Sequence, residues 1–465
     1  MNDWSEAERH AQRAQRFYQA GQWSRAVDEL RLALSYNPYQ SDWYLGMALA
    51  LDALHRYREA AQAYEQALRL RGDEDTDTML RWAADLIRSQ QPKRAVEVLQ
   101  RVAEIDPQCE PAYCQQILAH ALLGNHDEAQ VMFYMARQIV DECPACYDYL
   151  AHSLAMQGDW ERAIWCWQQT LRLDARHPDI HANLAAAHWG LGRLELARRD
   201  FLRHLRRRPG DVRALIDLGR LLIEMGRWDQ ACQKLRQAID LDPQRAEAHA
   251  LLGQVALGQN HLDAAQGSLE RACQLDPQRP GLHLALAQVA YRRGDRDEAG
   301  RLAQQERMCR GRTAHQTIEL ARLMLDLDQP AEATATLTPL IEGSGEEANR
   351  LEDRRQLGTA LFLRGVGHLL SGRLGQGIAD CRRSLRDLPD NAAAHHNLAL
   401  AYLRAGRLRR AAACLRRAQR LMPQAASLRR LQHHLRKRFW LSRCQQWRST
   451  LTAALLRLPP FRRAI

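Results

Sequence analysis

Residues 212–245 read VRALIDLGRLLIEMGRWDQACQKLRQAIDLDPQR, and the reading of this stretch decides the fold. Leu215, Leu218 and Leu222 recur at three- and four-residue steps, and so do Ala231, Leu235 and Ala238, which predicts two amphipathic helices in succession. Gly226 stands between them, where a helix end at positive φ costs least without a Cβ. Pro243 stops the second helix and sets the turn that follows. Ala231 marks a place where two helices approach too closely for a larger side chain; leucine there would overpack the contact at about 1–3 kcal/mol.

Outward from this unit the same marks return. The alanine recurs as Ala26, Ala60, Ala95, Ala129, Ala163, Ala197, Ala231, Ala265, Ala299 and Ala333, at spacings of 34 residues with a single 35. After a gap of 44, Gly377 and Ala411 resume the 34-residue step. A glycine lies five residues before most of these positions, at Gly21, Gly124, Gly158, Gly192, Gly226, Gly294, Gly372 and Gly406. A proline follows twelve residues after, as at Pro38, Pro107, Pro209, Pro243, Pro277, Pro389 and Pro423.

The pattern resembles the tetratricopeptide repeat, in which Leu215, Leu218, Gly219, Leu222, Gly226, Trp228, Ala231, Leu235, Ala238 and Pro243 would occupy the family positions. The resemblance covers residues 7–425. Pentatricopeptide repeats have a similar period, but the Asp-Pro unit end and the alanine at the close contact favour the tetratricopeptide reading. The fold expected is all-α: a right-handed α-solenoid of about twelve antiparallel helix pairs with a C-terminal amphipathic helix. Repeats one to ten are placed at 7–342 and repeats eleven and twelve at 358–425. An acidic, glycine-containing joint lies at 343–357, and a basic amphipathic helix and tail at 426–465.

A lone helix pair cannot bury its apolar stripe, so neighbours must stack. In the family this resembles, the first helix of each pair lines a concave groove. Tyr18, Leu45, Leu49, Leu80, Ile87, Leu118, His152, Trp189, Ile216, Arg220, Ile223, Leu257, Gln288 and Tyr291 are the residues expected there, a largely apolar lining suited to an extended peptide or an amphipathic helix. The positions of the family's carboxylate clamp hold mostly Ala, Leu, Ile and Cys, and only Asn183 and Asn397 match its asparagine ladder, so neither specialised groove is expected.

Charge is uneven. Of 66 Lys+Arg, 17 lie in residues 391–465, which hold no Asp or Glu; the first 390 residues keep 49 basic groups against 55 acidic ones. After Ser427, Leu428, Leu431, Leu435 and Phe439 recur at helical steps, with Arg429, Arg430, Arg436, Lys437, Arg438, Arg443 and Arg448 between and beyond them. This reads as a terminal cap on the last repeat or as a basic helix that touches anionic lipid. Nucleic acid is not the expected partner.

The polar N-terminus has no apolar core, so no secretory signal is expected, and no run of about 18 apolar residues suggests a membrane span. A cytoplasmic protein with reduced thiols is the expectation, with peripheral attachment through the tail as the alternative. Cys143-Pro144-Ala145-Cys146 is a C-x-x-C, and Cys109 and Cys114 precede it by one repeat. Structural, redox and metal-binding readings of these four all stand, although helix axes about 8–10 Å apart leave a wide gap for one zinc. His10, His181, His249, His283 and His395 share one repeat position and His120, His188 and His368 another, which points to packing. No phosphate loop, HExxH or G-x-S-x-G occurs, and no cofactor is expected. The function expected is a non-enzymatic interaction scaffold. The alternatives are a membrane-docked assembly factor and a non-catalytic subunit of an enzyme complex.

Overall fold

The computed structural model describes residues 2–72, 75–343, 354–438 and 440, and among these there is no strand. The chain divides into two compact units, Met1–Gly226 and Arg227–Ile465. In the first, α1 (Asn2–Gln19), α2 (Trp23–Tyr36), α3 (Ser41–Ala53), α4 (Tyr57–Arg71), α5 (Thr76–Arg88), α6 (Pro92–Ile105) and α7 (Glu110–Leu122) are followed by α8 (His126–Ile139), α9 (Pro144–Met156), α10 (Trp160–Leu173), α11 (Ile180–Gly190), α12 (Leu194–Arg207) and α13 (Val212–Glu224). The second holds α14 (Trp228–Leu241), α15 (Ala246–Gly258), α16 (Leu262–Leu275), α17 (Leu282–Arg293), α18 (Arg296–Met308) and α19 (Ala314–Asp326). It continues with α20 (Pro330–Glu342), α21 (Arg354–Leu370), α22 (Leu374–Asp387), α23 (Ala392–Arg404) and α24 (Leu408–Leu421). A helix over 426–438 follows.

Each odd-numbered helix is the first of a pair, and within each unit successive helices pack on one another. The recurring alanines are the reason they can. Ala60, Ala95, Ala129, Ala163, Ala197, Ala265, Ala299 and Ala333 are fully buried where second helix meets first. A Cβ added to Gly253 on α15 would lie 2.6 Å from Leu269 and 3.3 Å from the carbonyl oxygen of Ala265 on α16, so these two helices touch backbone to backbone. Leu99, Leu235 and Leu269 fill the adjoining space and are fully buried; truncation of one to alanine would cost about 2–5 kcal/mol.

The turn glycines adopt positive φ as their register predicts: Gly21, Gly124, Gly158, Gly192, Gly226, Gly294, Gly372 and Gly406. Four units lack that glycine, and His55, Gln90, Asn260 and Asp328 stand in its place with φ of +58°, +62°, +62° and +60°. They are the non-glycine residues in the left-handed region among those described, so stacking imposes the turn even where the side chain opposes it.

Histidines at the early repeat position are packing residues with a polar tip. His249 Nε2 lies 3.1 Å from the Pro243 carbonyl oxygen, His395 Nε2 lies 3.1 Å from that of Pro389, and Tyr113 in the same register donates to Pro107 O at 3.4 Å. Each ties a first helix to the proline that ended the preceding pair.

Most of the segment expected as a joint, 344–353, lies outside the described residues, yet the helices on either side of it, α20 and α21, pack directly. Buried Arg364 on α21 makes a two-point pair with Asp380 on α22 at 2.8 and 3.0 Å and also reaches Glu342 at the end of α20. In the helix over 426–438, Leu428, Leu431 and Leu435 are buried in the cluster that holds Tyr402, Ala411, Leu415 and Ala418 of α23 and α24. That part of the tail is therefore a cap whose apolar face is occupied, while Arg429, Arg430, Arg436, Lys437 and Arg438 are exposed. Arg443 and Arg448 lie outside the described residues. No described helix is long and apolar enough to cross a membrane.

Candidate functional site

First helices of neighbouring pairs touch one another: α5 packs on α7, α7 on α9, and, in the second unit, α15 on α17 and α17 on α19. No second helix packs on another second helix to a comparable extent among the described residues. The first-helix side of each unit is thus the tighter side, and its surface grooves run between first helices.

In the first unit three grooves open on that side. One of about 450 Å³ between α1 and α3 is lined by Tyr18, Trp43, Gly46 and Leu49, with Glu8 and Asp42 at its polar edge. The next, about 360 Å³, takes Asp52 from α3, Asp77, Leu80, Arg81 and Arg88 from α5, and Gln115 from α7. The third, about 420 Å³, is the most apolar: Leu118, Leu122, Tyr149, His152, Ala155, Met156 and Trp160 surround it. Leu122 and Met156 are large apolar side chains left exposed, at 45% and 56%.

Charged groups set the polar borders. In the middle groove Arg88 pairs with Asp52 at 3.0 Å and with Asp85 at 3.2 Å, and its guanidinium lies 5.3 Å from the Tyr57 ring centre. Asp85 is buried, and loss of water together with the nearby Asp52 carboxylate pushes its pKa up to about 7, against the smaller pull of Arg88. In the third groove His152 lies 3.5 Å from Asp148, and Asp148 also accepts from the Trp167 indole N–H at 2.9 Å, so the imidazole is held by a second-helix aromatic. The rings of His152 and Trp167 meet edge to face at 5.4 Å.

Of the residues expected to line a groove, Tyr18, Leu49, Leu80, Leu118 and His152 do so. Leu45, Trp189, Ile223 and Gln288 are half-buried, and Arg220 and Tyr291 are exposed. The Trp189 indole N–H donates to Glu224 Oε2 at 2.6 Å, which ties α11 to α13. Ile87, Ile216 and Leu257 belong to the core and are not offered to a partner. The first-helix register that the resemblance points to places them outward, but Ile87 is buried in a cluster with Ala112 and Ala119 of α7, and Leu257 in one with Leu282, Ala285 and Val289 of α17. Trp43, Leu122, Tyr149, Met156 and Trp160 were missed. A signal existed for two of them: Leu122 and Met156 occupy a register that holds Gln19, Arg88, Glu224 and Arg292 in other units.

The cysteines cluster more tightly than the axis spacing implied, because α7 and α9 face each other directly. Cys114 and Cys146, with Cα atoms 5.2 Å apart, form a disulfide, and Cys143 lies beside them; Cys109 is not part of the cluster.

Profiles of the tetratricopeptide repeat match residues 11–75, 45–110, 150–212, 216–280, 251–308 and 392–425, more than half of the chain. The chain is similar to the bovine (Bos taurus) BBSome complex member BBS4, 24% identical over 150 residues, which are 32% of this chain and 29% of that protein. The chain therefore spans under a third of that relative's length. Among solved structures, the Cut9–Hcn1 hetero-tetramer of APC/C aligns over 91% of this chain and 95% of that one, at 13% identity and a TM-score of 0.44. Yeast Tom70 aligns over 94% and 96%, at 15% identity and a TM-score of 0.41.

Proposed function

The chain belongs to the tetratricopeptide-repeat family, and from that premise we propose that it is a non-enzymatic scaffold that holds a partner protein along the first helices of its repeats. The partner segment is an amphipathic helix or an extended peptide with apolar anchors. One observation carries this reading: the groove between α7 and α9 is lined by apolar side chains that the fold leaves uncovered, Leu122 and Met156 above all. Exposed aliphatic and aromatic side chains around a concave site are what an anchor residue fills. The borders of the grooves are already ion-paired, Arg88 with Asp52 and Asp85, so they select position more than they add affinity.

Photo-crosslinking tests it. A photoreactive amino acid at position 156, in the groove, is expected to trap a partner in cells. The same group at position 165, where exposed Trp165 stands on second helix α10, is expected to trap none. Adducts at 165 alone would move the interaction to the other face and end the proposal.

A further inference from the structure

Four donor groups converge where α7 meets α9. Glu110 opens α7 and Cys114 lies one turn later on the same face; Cys143 caps the start of α9 and Cys146 is its third residue. Cys114, Cys143 and Cys146 are all buried. Cys114 Sγ is 3.6 Å from Cys143 Sγ, and Glu110 Oε1 is 2.8 Å from Cys114 Sγ and 3.5 Å from Cys146 Sγ. One donor atom from each of the four residues lies within 4.8 Å of the others. The disulfide between Cys114 and Cys146 is the oxidised form of this quartet.

We propose that in the reduced chain Glu110, Cys114, Cys143 and Cys146 form a structural zinc site that rivets α7 to α9. The spacing suits the ion. Zinc–sulfur bonds of about 2.3 Å in a tetrahedron set sulfurs about 3.8 Å apart, and a carboxylate oxygen bound at about 2.0–2.2 Å lies about 3.5 Å from each sulfur. The Cys114–Cys143 and Glu110–Cys146 separations, 3.6 and 3.5 Å, are close to those edges. The C-x-x-C pair supplies a preformed half-site, since the Cys146 backbone N–H donates to Cys143 Sγ at 3.3 Å.

Chemistry points the same way. The disulfide engages two of the four groups and leaves a thiol and a carboxylate side by side in a largely apolar cluster. Among the described residues no cationic side chain pairs with Glu110, and a divalent ion would satisfy all four donors at once. Repeat packing does not ask for this set. Other units place Leu45, Leu80, Ile216, Ala250 and Leu284 in the Cys114 register, and Ala112, Ile180, Ala214, Ala248 and Leu282 in the Cys146 register.

A second group, His283, Glu306 and Cys309, makes a useful contrast. There the Glu306 carboxylate accepts from the backbone N–H groups of Gly281 and Leu284 at 2.8 and 3.2 Å, so it caps α17 and is not free to bind an ion.

Binding balances as one Zn²⁺ taken up by three thiols and one carboxylate with release of three protons, after a thiol reductant has reduced the Cys114–Cys146 bond. The test is made on the full chain, purified with a dithiol reductant, with free thiols counted and zinc measured by mass spectrometry. Titration with zinc sulfate and with cobalt(II), whose thiolate charge-transfer band reports sulfur ligation, completes it. One zinc per reduced chain is expected. Cys143→Ser should weaken uptake about 100-fold or more, because even groups behind a ligand are worth about 10–100-fold. Glu110→Gln, which disturbs no core packing, should weaken uptake with helix content unchanged, and Cys166→Ser, a buried thiol outside the quartet, should change nothing. A chain with all thiols reduced that takes up less than one equivalent overturns the proposal, as does a cobalt–thiolate band that survives both Cys143→Ser and Glu110→Gln.

Discussion

Gly377 occupies the repeat position at which eleven other units carry the buried alanine, and Gly377→Ala therefore looks like a repair. Helix propensity says the same, since alanine in a helix interior is worth about 1 kcal/mol over glycine. The packing says the opposite. A Cβ at Gly377 on α22 would lie 2.6 Å from Cγ and Cδ2 of Leu369 and 2.9 Å from the backbone carbonyl oxygen of Gly365 on α21. A methyl there cannot be cleared by turning one side chain; α21 and α22 have to part, and both are held by the Arg364–Asp380 pair. Overpacking of this kind costs about 1–3 kcal/mol. Against the propensity gain, the net expected is a loss of about 0–2 kcal/mol. Gly267→Ala is the control, an exposed α16 position where an added Cβ meets nothing within 4 Å. It should stabilise its helix by about 1 kcal/mol. Hydrogen exchange measured by mass spectrometry reads each helix separately, which suits a chain of two units. Exchange in α21 and α22 should quicken in Gly377→Ala, by up to about thirtyfold at 2 kcal/mol, and exchange in α16 should slow in Gly267→Ala. If Gly377→Ala slows exchange as its control does, the close contact is not what distinguishes this pair and the reasoning fails.

Other outcomes follow from the same geometry. Gln90→Gly should raise the unfolding midpoint by relieving a left-handed glutamine, about 1–2 kcal/mol less glycine's extra unfolded entropy of about 0.5–1 kcal/mol, whereas Asn260→Gly should change little because asparagine tolerates that conformation; equal effects in thermal melts would refute this. Asp380→Ala leaves Arg364 buried with only Glu342 and should cost about 3–5 kcal/mol, seen as loss of exchange protection in α21 and α22. Asp85, with its pKa raised to about 7, holds its proton more tightly folded than unfolded. Its contribution to stability is therefore complete below the ordinary aspartate range and declines as pH rises from about 4 to about 7, so the difference in denaturation midpoint between Asp85→Asn and the parent should grow over that interval and level off above it. Leu431→Asp should release the helix over 426–438 and speed its exchange without altering α1–α13, which separates a cap from an independent tail.

How much of the site was legible depends on what each residue answers to. Tyr18, Leu49, Leu80, Leu118 and His152 could be placed from the helical period once the family resemblance made the first helix the groove side, because a side chain there, away from its own partner helix, has few places to go. Ile87, Ile216 and Leu257 satisfy the same rule and are buried, Ile87 in a cluster shared with α7 and Leu257 in one shared with α17. Whether a neighbour reaches that far is set by side-chain volumes across the interface, which a periodic count does not contain. The apolar stripe Leu428–Leu431–Leu435 reads in the sequence as a cap or as a lipid-facing helix, and the fold buries these three leucines against α23 and α24.

The sequence by itself determined the period, the pairing of helices and the identity of the buried alanines, because these follow from turn residues and 3.6-residue spacing within a single unit. Only the tertiary structure decided that four units lacking glycine would still turn through positive φ, that Gly365 and Gly377 stand at a backbone contact, and that Glu110, Cys114, Cys143 and Cys146 meet. The physical reason is common to all three. Each depends on how closely two helices approach, and that distance is settled by everything packed between and around them, not by the residues at the contact alone.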